Sequence, residues 1–429
     1  MRLLYDIFFM IFGILYLPYL LARGKIHAGF FRKFGFPEEN VTRLERPVWI
    51  HAVSVGEAVV AAKLALALKS RFGGVSVVVS TTTLTGNAMI RKCGRGTVDG
   101  IFYYPFDMSF IVSRVVRLLD PSLYVIIETE LWPNLLGELS RREVPVVLVN
   151  GRISDRSFRN YAKAKGIVRR ILECVTYFCM QSEEDAERIV KLGAGPERVC
   201  ITGNIKFDGQ KGVPEISGMK KNMLGFDDGD EILVAGSTHF PEETAIIDIY
   251  KELKKTYGGL KLVLAPRHIE RTDAVRIYLE KCDLRYLLFS EISEKGGKYP
   301  GKTDVVLVDT IGHLRELYSI ASLVFIGGSL AKRGGQNPIE AAGWGKAIIF
   351  GPNMQNFRKV ADIFLENRAA VRVKDASELG RVFDELLRDP SKREQMAENA
   401  GKVIKNNSGA LDRTVESISE VFRRGANLI

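Results

Sequence analysis

The sequence predicts an α/β protein made of two doubly wound parallel-sheet domains in succession, and three observations carry that prediction. From Pro47 onward, short and wholly apolar runs alternate with amphipathic stretches, the pattern of strands covered on both faces by crossover helices. The alternation breaks once, at the polar "GQKGVPEISGMKKNMLGFDDGDE", and then restarts. Finally, 429 residues at 46% hydrophobic and 26% charged are enough for about two or three globular domains.

Four segments follow from this: an N-terminal piece over 1–45, a first domain over 46–208, a linker over 209–230, and a second domain over 231–429 that includes the terminal helices. In the first domain the strands are expected in "PVWIHAVS", "VSVVVSTTT", "GIFYYPFD", "LYVIIETE", "VPVVLVNG", "TYFCMQS" and "RVCITGN". Helices fill the intervals. The clearest is "QSEEDAERIVKLG", with Ser182 as N-cap and Asp185 three residues on. In the second domain the strands are "EILVAGSTH", "LKLVLAPRH", "RYLLFSE", "TDVVLVDT", "ASLVFIGGS" and "KAIIFGPN". Paired domains of this kind place a ligand cleft at the carboxyl ends of their strands.

The N-terminal run "IFFMIFGILYLPYLLA" (Ile7–Ala22) is apolar all round and is followed by Arg23, Lys25, Arg32 and Lys33. It lacks the basic start and small-residue cleavage site of a secretory signal. It is short for a full crossing, which takes about 20 apolar residues, and Pro18 interrupts it. With its trailing cations it fits a membrane anchor that spans once or lies partly embedded, with the rest of the chain on the cytoplasmic side. The net charge of +10 suits an anionic membrane surface or a phosphorylated substrate. The five cysteines are scattered, without a disulfide framework or a zinc spacing.

Several motifs are decoys. "GGKYPGKT" matches a phosphate loop in letters, but a strand follows it where a helix is required. "DDGD" lies in the linker and reads as a solvated turn, and no GxGxxG is present. The informative residues sit at strand ends. Glu57, in "HAVSVGE", opens a strand-to-helix turn, where a carboxylate either complements the helix dipole or acts as a base. Glu128 and Glu130, in "ETELWPN", end a second strand of the same sheet, and gathered carboxylates perturb one another as acid–base sites require. Lys206, in "TGNIKFD", brings a cation that can stabilise a leaving phosphate. Arg267 and His268 follow "LKLVLAP", a place for phosphate or carboxylate recognition. The run "FIGGSLAKRGGQNPIEAAGWGKAIIFGPNMQNF" supplies paired glycines for close ligand approach and Glu340 at the start of a helix, suited to a ribose.

Taken together and in order, "HAVSVGE", "ETELWPN", "NGRISDRS", "TGNIKFD", "GGSLAKRGGQNPIEAA" and "FGPNMQNF" resemble the 3-deoxy-D-manno-octulosonic acid (Kdo) transferases of lipopolysaccharide synthesis, over essentially the whole chain. The resemblance implies a GT-B fold, with the acceptor on the first domain and CMP-Kdo on the second. It implies inverting transfer of Kdo to the lipid A precursor lipid IVA at the inner membrane, without metal, other cofactor or nucleic acid. Under it, Glu57 is the general base, and Glu128 and Lys206 stabilise the transition state. Pro266, Arg267, Ile311, Gly312, His313, Asn337, Pro338, Ile339 and Glu340 hold CMP. Gln336 stands where the family's "GGHNP" leads one to expect a histidine, and it can donate a hydrogen bond but not carry charge. The alternatives are a nucleotide-sugar epimerase of similar architecture and a non-catalytic lipid-A-binding module.

Overall fold

The computed structural model describes residues 5–7, 9–11, 13, 15, 28–208, 219–294 and 303–426. The chain divides into two compact units, one of residues 1–208 with 408–429 and one of residues 209–407.

The first unit is built on a seven-stranded sheet in which every pair is parallel. Its strands are β1 (Val48–Ala52), β2 (Val77–Thr81), β3 (Gly100–Tyr103), β4 (Leu123–Ile127), β5 (Val146–Gly151), β6 (Tyr177–Met180) and β7 (Val199–Ile201). All seven fall within the predicted runs. Their order, β3-β2-β1-β4-β5-β6-β7, reverses between β1 and β4. In a doubly wound sheet, that is where loops from neighbouring strands splay apart and leave a crevice at the carboxyl edge. Separate apolar cores cover the two faces. One joins Trp49, Tyr124, Leu136 and Phe178, and the other joins Ile50, Leu64, Leu68, Val79 and Val125.

The second core corrects the expected domain boundary. Helix Ala410–Ala426 belongs to the first unit, not to the second. Ala410, Val415, Ile418 and Val421 complete the core around Leu64 and Leu68. The Asp208 carboxylate accepts from the backbone N–H groups of Gly409 and Leu411, where this helix begins. Helical periodicity marks the apolar stripe of such a segment, but not which sheet receives it.

The second unit carries another all-parallel seven-stranded sheet, ordered β10-β11-β9-β8-β12-β13-β14. The strands are β8 (Glu231–Thr238), β9 (Leu260–Pro266), β10 (Tyr286–Leu288), β11 (Val305–Leu307), β12 (Leu323–Ile326), β13 (Ala347–Phe350) and β14 (Ala370–Arg372). Its reversal lies between β8 and β12. The short edge strand β14 is missing from the sequence prediction, its three residues being too few to show a period. The latter half of the expected linker is an integral part of this unit, since Leu224 and Phe226 are buried. "DDGD" is a turn in which the Asp230 carboxylate accepts from Asp227 N–H at 2.8 Å. Residues 296–302 of "GGKYPGKT" lie outside the described residues.

Most of the expected anchor also lies outside the described residues, and among those described no helix is long and apolar enough to cross a membrane. The residue just before it and one near its start are tied to the first unit. Asp6 accepts from Ser109 N–H and from Asn134 Nδ2, and the Phe9 ring lies 6.3 Å from that of Phe106.

Candidate active site

The carboxyl ends of β1 and β4, the two sides of the reversal in the first sheet, present a cluster of three carboxylates and one ammonium. Glu57 occupies the first turn of helix Val55–Phe72, with Ser54 as N-cap. Ser54 Oγ accepts from Glu57 N–H at 3.3 Å and donates to Glu57 Oε1 at 2.7 Å, while Val53 N–H donates to Oε2 at 2.8 Å. This is a capping-box arrangement, so the structural reading of Glu57 holds in full. It also fixes the carboxylate rigidly, with a lone pair on each oxygen to spare. Burial pushes its pKa up, opposed by the bonds from Ser54 and Val53 and by Lys206, and reinforced by Glu128.

Glu128 follows β4 directly and adopts φ of +62°, a left-handed conformation that costs a non-glycine residue about 1–2 kcal/mol. Its backbone N–H still pairs with Val149 O at 3.0 Å. The strained turn aims the side chain at Lys206, whose Nζ lies 2.8 Å from Glu128 Oε1. Lys206 stands on a short 3-10 turn, Ile205–Phe207, held from two sides. Asn204 Oδ1 accepts from Lys206 N–H and Asn150 Oδ1 from Ile205 N–H, each at 3.0 Å. Asn150 is itself buried at φ +54°. A Cβ added to Gly56 would sit 3.8 Å from Lys206 Cε, so the lysine stem crosses the first turn of the Glu57 helix. The structure therefore brings Glu57, Glu128 and Lys206 together.

Sequence reasoning left Glu130 without a role, yet it completes the cluster. Burial first, then the charges of Glu57 and Glu128, push its pKa up to about 7. With Glu128 ion-paired to Lys206, a proton on Glu130 leaves Glu57 as the unbalanced charge of the site. The second acid of "ETE" was the available signal. His51 is another carboxyl-edge residue of β1, but it serves the core. Its Nδ1 contacts Ser80 Oγ at 2.9 Å, and burial drives its pKa down to about 3.

In the second unit the nine expected nucleotide residues lie on one sheet edge, on loops that follow the adjacent strands β11 and β9 and, beyond β8, strand β12. Pro266 ends β9, and Arg267 N–H donates to Thr238 O at 2.9 Å, stitching that turn to the end of β8. Gly312 adopts φ of +106°, which a side chain would oppose, between exposed Ile311 and His313, whose ring lies 5.0 Å from Phe289. Asn337 is a turn residue whose Oδ1 accepts from Ile339 N–H at 3.1 Å and whose Nδ2 reaches Glu340 Oε1 at 3.4 Å. Pro338 and Ile339 are buried beneath them, so Asn337 and Glu340 are the members of that quartet able to meet a ligand.

One residue absent from the expected set organises this edge. Glu242 is 1% exposed, and its carboxylate accepts from the backbone N–H groups of His239, Gly328, Leu330 and Ala331 at 2.7–3.1 Å. It clamps the glycine-rich loop after β12 to the turn after β8. Its sequence signal, an acid in the first turn of helix Glu242–Thr256, does not distinguish it from an ordinary helix start.

Two parallel doubly wound sheets, one with a carboxylate–lysine cluster and one with a glycine-rich loop at the switch point, form the architecture of α/β enzymes that bind their ligands outside the carboxyl ends of the strands. Comparison with known proteins narrows this. The family described as 3-deoxy-D-manno-octulosonic-acid transferase (kdotransferase) matches residues 28–209. The 3-deoxy-D-manno-octulosonic acid transferase of Haemophilus influenzae is 31% identical over 396 residues, covering 91% of each chain. A bifunctional glycosyltransferase/methyltransferase of Fusobacterium nucleatum is 33% identical over 82% of this chain, which spans only 54% of that longer protein. Among solved structures, UDP-GlcNAc 2-epimerase from Neisseria meningitidis aligns with a TM-score of 0.60 at 14% identity, over 87% of this chain and 100% of the epimerase, a likeness of fold alone. The chain belongs to the 3-deoxy-D-manno-octulosonic acid transferase family.

Proposed function

We propose that this protein transfers Kdo from CMP-Kdo to lipid IVA with inversion at the anomeric carbon. The observation that carries the reading is the convergence of Glu57, Glu128 and Lys206 at the switch point of the first sheet.

Glu57, ionised and held by Val53 N–H and Ser54 Oγ, takes the proton of the acceptor hydroxyl as its oxygen attacks the anomeric carbon. The bond from that carbon to the phosphate oxygen breaks, and its electron pair leaves with CMP. Glu128 and Lys206, locked as a pair, stabilise the charge that shifts in the transition state. Glu130, with its pKa near 7, limits the negative charge around the base. Arg267 meets the donor phosphate, Asn337 and Glu340 the ribose, and the Ile311–His313 turn the base.

The acceptor is an anionic lipid, and the chain's net charge of +10 draws it to the cytoplasmic face of the inner membrane. Exposed Ile7, Met10, Ile11 and Leu15, followed by exposed Phe31, Phe34 and Phe36, support membrane association of the N-terminal segment.

The test is a product assay with purified protein, CMP-Kdo and lipid IVA, read by mass spectrometry. One or more Kdo mass increments are expected. No increment from protein that still binds CMP would overturn the reading.

A further inference from the structure

At the switch point of the second sheet, a cavity of about 550 Å³ is lined by His239, Arg267, His268, Arg271, Arg333 and Gln336. Three of these side chains gather around Gly328. A Cβ on Gly328 would lie 3.3 Å from His239 Cδ2, 3.5 Å from Arg333 Cβ and 3.5 Å from Gln336 Nε2. Three side chains from the ends of β8 and β12 thus converge on one glycine, and the Glu242 clamp fixes the backbones beneath them.

The cavity is positively charged and short of counterions. Arg271 pairs with Glu243 at 3.0 Å. Among the described residues neither Arg267 nor Arg333 has a carboxylate partner. His239 Nε2 is buried without a hydrogen-bond partner. Burial, then the neighbouring His268, Arg333, Arg267 and Arg271, hold its pKa below the usual histidine value, as expected in a field awaiting an anion.

The donor of the proposed reaction carries two acids on one carbon, a phosphodiester and a carboxylate. A guanidinium fork holds one carboxylate or one phosphate bidentately, so a pair of acids this close calls for two. We propose that Arg333, His239 and Gln336 bind the carboxylate of the donor sugar, beside the phosphate held at Arg267, and so select an acidic ulosonic sugar over a neutral one. This rests on CMP-Kdo being the donor. Gln336 fits the role as an uncharged donor, since the cations around it already supply the charge.

The experiment compares the KM for CMP-Kdo with the inhibition constant of CMP, which lacks the carboxylate, in the full-length chain and in Arg333→Met and Gln336→Glu. Loss of a charge-assisted bond corresponds to roughly a ten- to hundredfold change. Arg333→Met is expected to raise the KM for CMP-Kdo by that factor while CMP inhibition stays near the wild-type value. Gln336→Glu, which opposes the sugar acid with a like charge, is expected to raise it further. Arg333 is exposed, and unchanged thermal unfolding would show that its replacement spares the fold. If wild type transfers Kdo but KM and CMP inhibition worsen together, or neither moves, the carboxylate site is refuted and the transferase reading stands. If wild type transfers nothing from CMP-Kdo, both fall.

Discussion

Replacing Glu57 by Gln separates the two roles its geometry supports. As a cap, Glu57 accepts two hydrogen bonds, from Val53 N–H at 2.8 Å and Ser54 Oγ at 2.7 Å. Making the acceptor neutral weakens each by about 1 kcal/mol, the difference between charged and neutral hydrogen bonds. Against that loss, the substitution removes a buried charge whose burial raises its own pKa. The net stability change is therefore expected to stay within about 2 kcal/mol. As a base, its loss should cost about a hundred- to ten-thousandfold in turnover. The assay is Kdo transfer under saturating donor, with thermal unfolding measured on the same preparation and Ser54→Ala as the cap-only control. Wild type should also lose activity as pH falls through the raised Glu57 pKa, because the base must be ionised, and Glu57→Gln should abolish that acid limb. Turnover of Glu57→Gln within about tenfold of wild type, with stability loss matching Ser54→Ala, would refute the assignment and move the base to Glu130.

Glu130→Gln should stabilise the protein at pH 8 but not at pH 5. The folded state holds the Glu130 proton up to about pH 7, so stability declines as pH rises from the ordinary glutamate pKa to that value, a decline that thermal unfolding across pH should find missing in the variant. Lys206→Met, which strips Glu128 of its partner, is expected to lower turnover by about a hundred- to thousandfold, while the half-open pair contributes at most about 1 kcal/mol to stability, as activity and unfolding measured together will show. Ile418→Ala opens a cavity in the core shared with Leu64 and Leu68 and should cost about 2–5 kcal/mol in denaturant unfolding. An effect confined to the second unit's unfolding would contradict the place of that helix.

The strands were legible because parallel strands buried on both faces read as continuous apolar runs, and "LYVIIETE" or "LKLVLAPRH" leave little choice. Residues at their ends could be named for the same reason. The polar turn after an apolar run is where a chain leaves the sheet, so Glu57, Glu128 and Arg267 stood out without knowledge of strand order. What local sequence does not encode is which ends become neighbours. Between Ala52, the last residue of β1, and Leu123, the first of β4, lie 70 residues of chain. Only the pairing of the whole sheet makes them adjacent. Helix Ala410–Ala426 was misplaced by the same blindness to long-range partners. Glu242 was invisible because three of the four backbone bonds to its carboxylate come from the distant loop after β12 and leave no spacing signature.

The backbone carries a further argument about where the chemistry sits. Among non-glycine residues with positive φ, Glu128, Asn150 and Ser237 lie at the carboxyl ends of β4, β5 and β8. Such conformations cost about 1–3 kcal/mol each and persist only where the surroundings over-determine them. Here the surroundings can be named. Glu128 is held by Val149 O and Lys206, and Asn150 by Gln181 and the turn that carries Lys206. Ser237 sits at the register shift that turns β8 toward His239. None of these strains improves the sheet, and a Gly at any of the three would relax the local conformation. The fold tolerates them where each one directs a side chain, or the turn bearing it, toward the lysine–carboxylate cluster or the cationic cavity. A glycine at position 128 should therefore relieve the backbone yet lower turnover by removing the Lys206 partner. Alanine there would lose the same carboxylate while keeping the strain. Equal activity of Glu128→Gly and Glu128→Ala, with the glycine variant the more stable by about 1 kcal/mol, would show that the strain serves only to place the carboxylate.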